Sequence, residues 1–429
     1  MDLLKKVKSK LTNLGFLALL KFGVLIKSPK LTVRALVFFT VKFNDSAGKK
    51  VLCLGRSIFL DDLRAMADKS GQIQYFIIHL TYFKILFDRF VSPAERRKIT
   101  EANYHEEKFG QAGKKGYLEF LIKLLPELKK SIGFEAVLSG NFGYVMQQEV
   151  ERACQQLEIP FVIMHKEGLG AYGDYVDMNL YDGYIFRGQK MLLYNNQIKK
   201  ALLENIGGLT EEKVEVVGIP RFDYYLSDSS AGVIPGQVVF FSFYYEDRFF
   251  NLIQGEKRVK EARARCYNFH KLIMEFAEKN PKLKVIIKTK ASEHFSRYVN
   301  EIFDQNFKKP IANLEITNLG NPVELVKKSI AVIGFNSTVS LEAIAAKKTL
   351  ISPIFNDLVE NKSWNFFEKF PELVNYAGTV EDLEKYVYNY RDYLKYDERV
   401  RDEFLKDFIY SADGRAGRRA EEAIIKLME

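Results

Sequence analysis

The chain has 429 residues, of which 47% are hydrophobic and 28% are charged, values typical of a globular protein with a sizeable core. This length favours two domains. The net charge of +9 suits an anionic partner, such as nucleic acid, a membrane surface or an anionic small molecule. The sequence has no zinc-finger spacing, basic zipper or RNA-binding aromatic motif, so we do not expect a nucleic-acid partner.

The cysteines and histidines are few and scattered along the chain. There are three cysteines, an odd number, which argues against a disulfide framework and favours a reducing compartment. No two of the five histidines have the helical spacing of metal ligands. We therefore expect no structural metal.

Residues 1–42 alternate lysines with short apolar runs. No run approaches the ~20 apolar residues of a membrane-spanning helix, and lysines interrupt the segment too often for a cleaved signal peptide. Two interpretations remain: an amphipathic segment lying on an anionic membrane face, or a helix packed on the first domain with a solvated basic face. We favour the first, which predicts a cytoplasmic protein peripheral on the inner face of the membrane.

Strand and helix patterns alternate from residue 50 onward. In the first half, strands are predicted at 51–54, 73–78, 135–138, 161–164, 184–186 and 214–217, and helices at 61–68, 109–130 with a break at Pro126, 144–157 and 191–205. A polar, turn-rich stretch at 227–236 then predicts a domain boundary.

The same alternation restarts after this boundary. Strands are predicted at 238–243, 283–287, 314–316, 331–333 and 349–352, and helices at 261–278, 323–328, 339–345, 380–390 and from 417 to the end. The chain is therefore predicted to have an α/β fold. Its expected parts are the basic segment 1–42 and two Rossmann-like domains, 43–230 and 231–429, each with a mostly parallel sheet.

Residues 165–173 read HKEGLGAYG and formally contain G-x-G-x-x-G. We reject a dinucleotide site, because that fingerprint opens a helix inside the first βαβ unit and the residues after this one do not read as a helix. His165, Lys166 and Glu167 follow the predicted strand at its carboxyl end, where α/β sheets bind ligands. A cleft wall is therefore favoured over a solvated loop with incidental charges.

Residues 330–351 predict a strand, a tight turn, a helix and a second strand. Ser337 is predicted to be the N-cap of this helix, with its hydroxyl accepting a free backbone N–H. The start of such a helix binds anions through its unpaired N–H groups and its dipole. An ordinary βαβ turn explains the same spacing, and the two interpretations have equal weight.

Two successive α/β domains resemble the GT-B glycosyltransferase architecture. The stretch 218–223, GIPRFD, resembles the G-x-P-R-x-D stretch of CDP-glycerol glycerophosphotransferase-like enzymes. The stretch 334–338, GFNST, together with Glu342, resembles the serine motif of CMP- and CDP-donor transferases, and DGRA at 413–416 is similar to the close of those chains.

One departure refines the resemblance. The strand at 285–287 leads into Lys288-Thr289-Lys290, where these families usually have a His-Pro pair. Together with the HKE sequence at 165–167, this looks more like the bacterial β-Kdo transferases of surface polysaccharide assembly than like teichoic-acid enzymes.

The resemblance implies a metal-independent transferase. The donor would be a cytidine-nucleotide sugar, CMP-linked and with Kdo as the candidate sugar, so it is a substrate and no separate cofactor is expected. The acceptor, a surface polysaccharide or a lipid-linked glycan, would bind the first domain. The donor would bind the second domain through Lys288, Lys290, Asn336, Ser337, Thr338 and Glu342.

Three residues are the candidates for catalysis: Glu167 and His165 after a strand of the first domain, and Asp247 after the first strand of the second. We expect Glu167 and Asp247 to face one cleft, since each follows the carboxyl end of a strand. A retaining enzyme would use the carboxylate as nucleophile and an inverting enzyme would use it as base. The sequence leaves that choice open, and it indicates a structural role for Asp223.

Three alternatives share the predicted scaffold: a CDP-alditol phosphotransferase, a non-catalytic GT-B-like assembly protein at the membrane, and a sugar-nucleotide 2-epimerase. The basic N-terminus and the lysine-rich loop at 288–290 favour a membrane-proximal transferase over the epimerase.

Overall fold

The structure is a computed structural model that describes residues 2–56, 59–166, 168–173, 183–227, 232–245, 248–355, 357–358, 364–394 and 397–429. The chain divides into two compact units. The first unit contains Met1–Leu169, Asp177–Asp223 and Arg415–Glu429, and the second contains Gly170–Val176 and Tyr224–Gly414. Residues 415–429 therefore belong to the first unit, whereas the predicted division at residue 230 placed them in the second domain.

The first unit contains a seven-stranded sheet in the order β1-β3-β2-β4-β5-β6-β7. Its strands are β1 Val41–Lys42, β2 Lys49–Gly55, β3 Ile73–His79, β4 Ala136–Ser139, β5 Phe161–Met164, β6 Lys190–Leu193 and β7 Val214–Val216. All neighbouring strands are parallel except β1 and β3. The central strands β4 and β5 are buried throughout, as parallel strands covered on both faces must be.

The helices that precede residue 227 are α1 Asp2–Leu25, α2 Pro29–Phe39, α3 Leu60–Lys69, α4 Leu80–Phe90, α5 Pro93–Arg96, α6 Gln111–Ile132, α7 Gln148–Gln156, α8 Asn196–Asn205 and α9 Asp223–Leu226.

The basic N-terminal segment forms a hairpin of the two helices α1 and α2. Lys27 has a left-handed φ of 52° in the turn between them. A Cβ atom on Gly23 would lie 2.9 Å from the Thr32 backbone nitrogen, so glycine permits the close approach of the helices. Leu20 and Leu36 are fully buried, which shows that one side of the hairpin packs on the unit. In the part of the chain that the structure describes, no helix combines the length and the apolar character needed to span a bilayer.

The second unit contains a six-stranded parallel sheet in the order β10-β9-β8-β11-β12-β13. Its strands are β8 Gln237–Phe241, β9 Lys284–Lys288, β10 Leu314–Thr317, β11 Ala331–Ile333, β12 Thr349–Pro353 and β13 Asn375–Ala377. The remaining helices are α10 Glu256–Lys279, α11 Glu293–Asn306, α12 Pro322–Lys328, α13 Thr338–Ala345, α14 Val380–Tyr388, α15 Glu398–Ile409 and α16 Ala416–Ile425. The predicted α/β fold with two Rossmann-like domains is confirmed.

Three local predictions are wrong. The helix predicted at 191–205 is strand β6 followed by helix α8, because a short apolar run fits a buried strand as well as a helix. Asn195 begins α8, and its side chain accepts a hydrogen bond from Ile198 N at 2.9 Å. Pro126 lies inside α6 without ending it, since the buried leucines on both sides keep each half packed. The strand predicted at 184–186 is only an isolated bridge between Ile185 and Gly207.

Candidate functional site

The order of strands in the second sheet locates a ligand-binding crevice. The chain runs from β8 to β9 and β10 in one direction, then returns to the other side of β8 for β11, β12 and β13. The order therefore reverses between β8 and β11, and open α/β sheets bind ligands outside the carboxyl ends of the strands at such a point. Strand β11 ends at Ile333 and leads directly into residues 334–338, which the sequence predicted to bind the donor.

Asn336 lies in the turn between β11 and α13. It adopts a left-handed φ of 39°, which asparagine tolerates better than most residues. Its Oδ1 atom is buried and has no hydrogen-bond partner among the residues that the structure describes. Buried polar atoms are nearly always paired in folded proteins, so this oxygen is an acceptor available to a ligand hydroxyl or a water.

Ser337 and Thr338 begin helix α13. Ser337 is in the N-cap position with an extended backbone, but its hydroxyl makes no capping hydrogen bond, so that part of the prediction is wrong. The Ser337 side chain is exposed. The first backbone N–H groups of a helix have no intrahelical partner. Ser337 and Thr338 thus present hydroxyl and N–H donors together at the switch point.

Glu342 is buried and is not the solvated helix position that the sequence allowed. Its Oε2 atom accepts a hydrogen bond from the Tyr225 hydroxyl at 2.7 Å. The two residues are 117 positions apart, so no sequence pattern indicated this pair. The contact fixes the orientation of the carboxylate of Glu342, a residue of α13.

The two predicted lysines have different environments. Lys288 Nζ donates to the carbonyl oxygens of Thr289 at 2.8 Å and Asn318 at 3.0 Å, and burial lowers its pKa. It therefore joins the end of β9 to the loop after β10. Lys290 is exposed, with its ammonium 5.0 Å from the centre of the Phe295 ring. Lys290 is the better placed of the two to approach an anion from solvent.

Sequence reasoning missed a hydrogen-bonded pair at the end of β8. The Ser242 hydroxyl lies 2.9 Å from Nε2 of His270, and Nδ1 of His270 lies 2.8 Å from the carbonyl oxygen of Cys266. The carbonyl can only accept, so Nδ1 carries the hydrogen and Nε2 accepts from Ser242. Burial lowers the pKa of His270 to about 4, which keeps the ring neutral. The sequence feature that could have located this pair is a serine directly after a central parallel strand.

His165, the histidine predicted in the first unit, is fully buried at the end of β5. Its Nδ1 lies 3.0 Å from Oδ1 of Asn141, an oxygen that also accepts from the Phe142 backbone N–H at 2.8 Å. Because an amide oxygen can only accept, the ring hydrogen of His165 lies on Nδ1, and Nε2 is the ring nitrogen that carries a lone pair. Burial lowers the pKa of His165 to about 3, so the imidazole is neutral at physiological pH.

The matched stretch 218–223 anchors a buried ion pair in the first unit. Asp62 has no exposed surface and accepts from the Tyr194 hydroxyl at 2.7 Å. Arg221 Nη1 donates to both Asp62 oxygens at 3.2 Å, and the Arg221 backbone N–H donates to Oδ1. Lys166 Nζ approaches Asp62 to 3.9 Å. These contacts explain the arginine of the stretch as a structural residue.

Asp223, the last residue of the same stretch, binds the start of helix α16. Its two carboxylate oxygens accept from the backbone N–H groups of Ala416 at 3.0 Å and Gly417 at 2.8 Å. A carboxylate is favoured there by the helix dipole as well as by the hydrogen bonds. The expected structural role of Asp223 is confirmed, and two stretches matched separately in sequence meet in space.

The candidate catalytic carboxylates Glu167 and Asp247 lie outside the described residues. Their roles and their common cleft remain predictions. Within the described ranges, no group of three or more histidine, cysteine, aspartate or glutamate side chains could hold a metal ion.

Comparison with solved structures addresses the fold. The chain superposes on the wall teichoic acid polymerase TagF with a TM-score of 0.50 and 10% identity, covering 97% of this chain and 98% of that one. The fold is GT-B-like. At this identity the similarity establishes the fold alone.

Two further solved structures have lower TM-scores. UDP-GlcNAc 2-epimerase from Neisseria meningitidis has a TM-score of 0.46 at 14% identity, covering 88% of this chain and 100% of that one. A glycosyltransferase from Rickettsia africae has a TM-score of 0.46 at 15% identity, covering 90% and 100%. The sequence matches no family model, and no curated protein sequence is significantly similar to it.

Proposed function

We propose that this protein is a GT-B glycosyltransferase that moves a sugar, with Kdo as the candidate, from a CMP-linked donor to a surface-polysaccharide or lipid-linked acceptor. The observation that carries the proposal is the start of helix α13 at the switch point of the second sheet. There, Asn336 has an unpaired buried oxygen and the Ser337 hydroxyl makes no capping bond.

The hydroxyls and N–H groups of Ser337 and Thr338 suit the phosphate of a nucleotide sugar, whereas the Asn336 oxygen, an acceptor, would take a hydroxyl of the same donor. Unpaired N–H groups and hydroxyls at a helix start stabilise the negative charge that develops on a leaving phosphate, without a divalent metal. Exposed Lys290 would add positive charge from the loop after β9, which is separated from β11 by β8. Lys288 would act indirectly, because its ammonium already binds two backbone carbonyls.

The chemistry on the sugar requires a carboxylate, for which we propose Glu167 or Asp247. His165 would contribute as a neutral hydrogen-bonding group rather than as a general acid, because its pKa is far below physiological pH.

A CDP-alditol phosphotransferase is the second candidate. The GIPRFD and DGRA stretches support it, and the Asp223 contacts with residues 416 and 417 show that these stretches form one structural unit. The two candidates share a cytidine nucleotide and differ in the group transferred.

A thermal-shift screen of the full chain tests the proposal. We expect CMP and a CMP-sugar to raise the melting temperature, and UDP-GlcNAc to have little effect. A larger shift with CDP-glycerol would favour the alditol phosphotransferase. A shift only with UDP-GlcNAc would favour the epimerase, and no shift with any nucleotide would favour the non-catalytic assembly protein.

Substitutions at the start of α13 should weaken donor binding without unfolding the protein. We expect Ser337→Ala and Thr338→Ala each to reduce CMP affinity by about 1–2 kcal/mol, the loss of one hydrogen bond to a charged group. Isothermal titration calorimetry measures this change.

Thr379→Ala is the matched control. Thr379 caps helix α14, because its hydroxyl accepts a hydrogen bond from the Asp382 backbone N–H. Loss of this hydroxyl should cost about 1 kcal/mol of stability and leave CMP affinity unchanged. Ser337→Ala should show the reverse pattern. Unchanged CMP affinity in both α13 variants would count against the site.

We also propose that the α1–α2 hairpin binds an anionic membrane surface from the cytoplasm. No acidic residue occurs between Asp2 and Asp45, whereas lysines recur throughout. The hairpin exposes large apolar side chains beside basic ones, including Phe22, which is 51% exposed, and Ile26, which is 50% exposed. One side of the hairpin packs on the first unit, and the other side remains exposed with its apolar and basic side chains. This exposed side is available to bind lipid.

We expect the variant Lys21→Gln/Lys27→Gln/Lys30→Gln to lose about 100-fold in affinity for phosphatidylserine vesicles, since each lysine contributes about 1 kcal/mol at such a surface. Vesicle co-sedimentation at two salt concentrations measures the loss, and salt should weaken the wild type.

Two control variants lie in the second unit. Lys308→Gln/Lys309→Gln removes exposed charge, and Leu319→Ser removes a side chain that is 74% exposed. Both should bind vesicles like the wild type, whereas Phe22→Ser should bind more weakly. Salt-insensitive binding, or equal loss in the controls, would contradict the proposal.

A further inference from the structure

A charged cavity lies within the first unit, formed without any residue of the proposed donor site. It has a volume of about 340 Å³, within the range of small-molecule sites. The loop at 104–107, the first turns of α6, one side of α7 and the segment before β6 enclose it. We call it the basic pocket, and the side chains that carry its chemistry are Tyr104, His105, Glu106, Glu107, Lys114, Lys115, Glu149, Arg152 and Arg187.

Arg187 has an unusual environment for a half-buried arginine. Its Nη1 donates to Nδ1 of His105 at 2.9 Å, and within the described residues its guanidinium forms no salt bridge. Burial, followed by repulsion from Arg152, lowers the pKa of Arg187. His105 can accept this bond because burial and the neighbouring cations lower its pKa to about 4. The guanidinium is thus held in place by a neutral partner that does not neutralise it.

The carboxylates near Arg187 are already engaged. Glu149 is fully buried and binds Arg152 Nη1 at 3.1 and 3.2 Å, as well as the Tyr104 hydroxyl at 3.1 Å. Glu151 directs one oxygen to the backbone N–H groups of Arg187 and Gly188 instead of to a side chain.

Lys114 adds a further charge next to the pocket. Lys114 is buried, and its ammonium binds the backbone carbonyl oxygens of Tyr104 and Glu106. These backbone groups are neutral, so they do not cancel the charge of the ammonium. The pocket is therefore lined by three buried or half-buried cations, Lys114, Arg152 and Arg187, and one buried carboxylate, Glu149. Two exposed carboxylates, Glu106 and Glu107, also line it, and Glu106 pairs with Lys108 at 2.6 Å. Exposed Lys115 lies at its edge.

We propose that the basic pocket binds the phosphate group of a small phosphorylated ligand. A carboxylate has two oxygens, and one guanidinium satisfies both, as Arg152 does with Glu149. A phosphate ester has three terminal oxygens and up to two negative charges, which match the Arg187 guanidinium, not neutralised by a carboxylate within the described residues, and the exposed Lys115 ammonium at the edge. This assignment does not rest on the proposed glycosyltransferase activity.

Calorimetric titration of the full chain with inorganic phosphate, glucose 6-phosphate and glucose tests the assignment. The two phosphates should bind and glucose should not. Arg187→Gln should weaken phosphate binding by about tenfold or more, the loss of a charged hydrogen bond. Arg96→Gln is the matched control, because Arg96 is also half-buried in the first unit but pairs with Asp88 outside the pocket.

Thr338→Ala separates the basic pocket from the donor site, which also attracts phosphate. Binding that persists in Thr338→Ala and is lost in Arg187→Gln supports the assignment. Binding lost in Thr338→Ala and retained in Arg187→Gln overturns it, as does equal loss in Arg96→Gln or binding of glucose alone.

Chemical labelling gives a second readout that needs no substitution. An arginine with a lowered pKa reacts readily with phenylglyoxal, and peptide mass mapping locates the label. We expect Arg187 to be labelled in the wild type and protected by glucose 6-phosphate but not by glucose. Labelling of Arg187 that glucose 6-phosphate leaves unchanged overturns the assignment even if Arg187→Gln fails to fold.

Discussion

Asp62→Ala should lower the free energy of unfolding by about 3–5 kcal/mol, the cost of leaving a buried charge unpaired. The Asp62 carboxylate is fully buried, and its removal takes both carboxylate acceptors from the Arg221 guanidinium, whose side chain is only 13% exposed, and the acceptor from the Tyr194 hydroxyl. Denaturant titration of the wild type and the variant measures the loss.

Two further variants identify the cause of that loss. Asp61→Ala removes an exposed carboxylate from the adjacent position of α3 and should cost less than about 1 kcal/mol, its interaction with the helix dipole. Adding Arg221→Met to Asp62→Ala should restore part of the stability, because the guanidinium that lost its Asp62 partner is then removed as well. Equal losses for Asp61→Ala and Asp62→Ala would show that the buried pair does not stabilise the unit.

Glu167→Gln or Asp247→Asn should abolish turnover, with a fall of at least about 10²–10⁴-fold, while leaving donor affinity nearly unchanged. The amide keeps the shape and hydrogen bonding of the carboxylate and removes its charge and basicity. A group used mainly in the transition state affects turnover without affecting ground-state binding. Steady-state kinetics and calorimetry on the same variants measure both quantities.

Glu204→Gln, on the exposed surface of α8, is the control and should retain full activity. If Asp247 is a nucleophile, intact mass spectrometry of the wild type should detect a covalent sugar adduct that is absent from Asp247→Asn. Full activity in both Glu167→Gln and Asp247→Asn would show that the catalytic carboxylate lies elsewhere.

Local patterns predicted the strand, turn and helix around Ser337 and Thr338 well. Such an element is determined by residues close in sequence, namely an apolar run, a glycine and a helix-forming stretch. The cap was predicted less well, because the identity of Ser337 specifies a possible hydrogen bond and only the backbone geometry decides whether it forms. The strand at 190–193 was missed for a related reason, since its neighbours in the sheet determine its conformation.

The pairs that give the individual site residues their environment depend on long-range packing. Arg221 meets Asp62 across 159 positions, and Tyr225 meets Glu342 across 117. No periodicity or spacing relates such residues, because the order of strands in the sheet decides which side chains become neighbours. Arg187 and His105 in the basic pocket are 82 positions apart and left no sequence pattern for the same reason.

The sequence by itself determined the α/β class, the alternation of strands and helices, the basic N-terminal segment and the position of the α13 turn. These features follow from hydrophobic periodicity and turn chemistry, which act over a few residues. Only the tertiary structure decided that α16 returns to the first unit, that Lys288 binds carbonyls while Lys290 is exposed, and that Glu342 is buried. Burial and partner choice set the charge state and availability of each group, and both arise only when distant segments pack together.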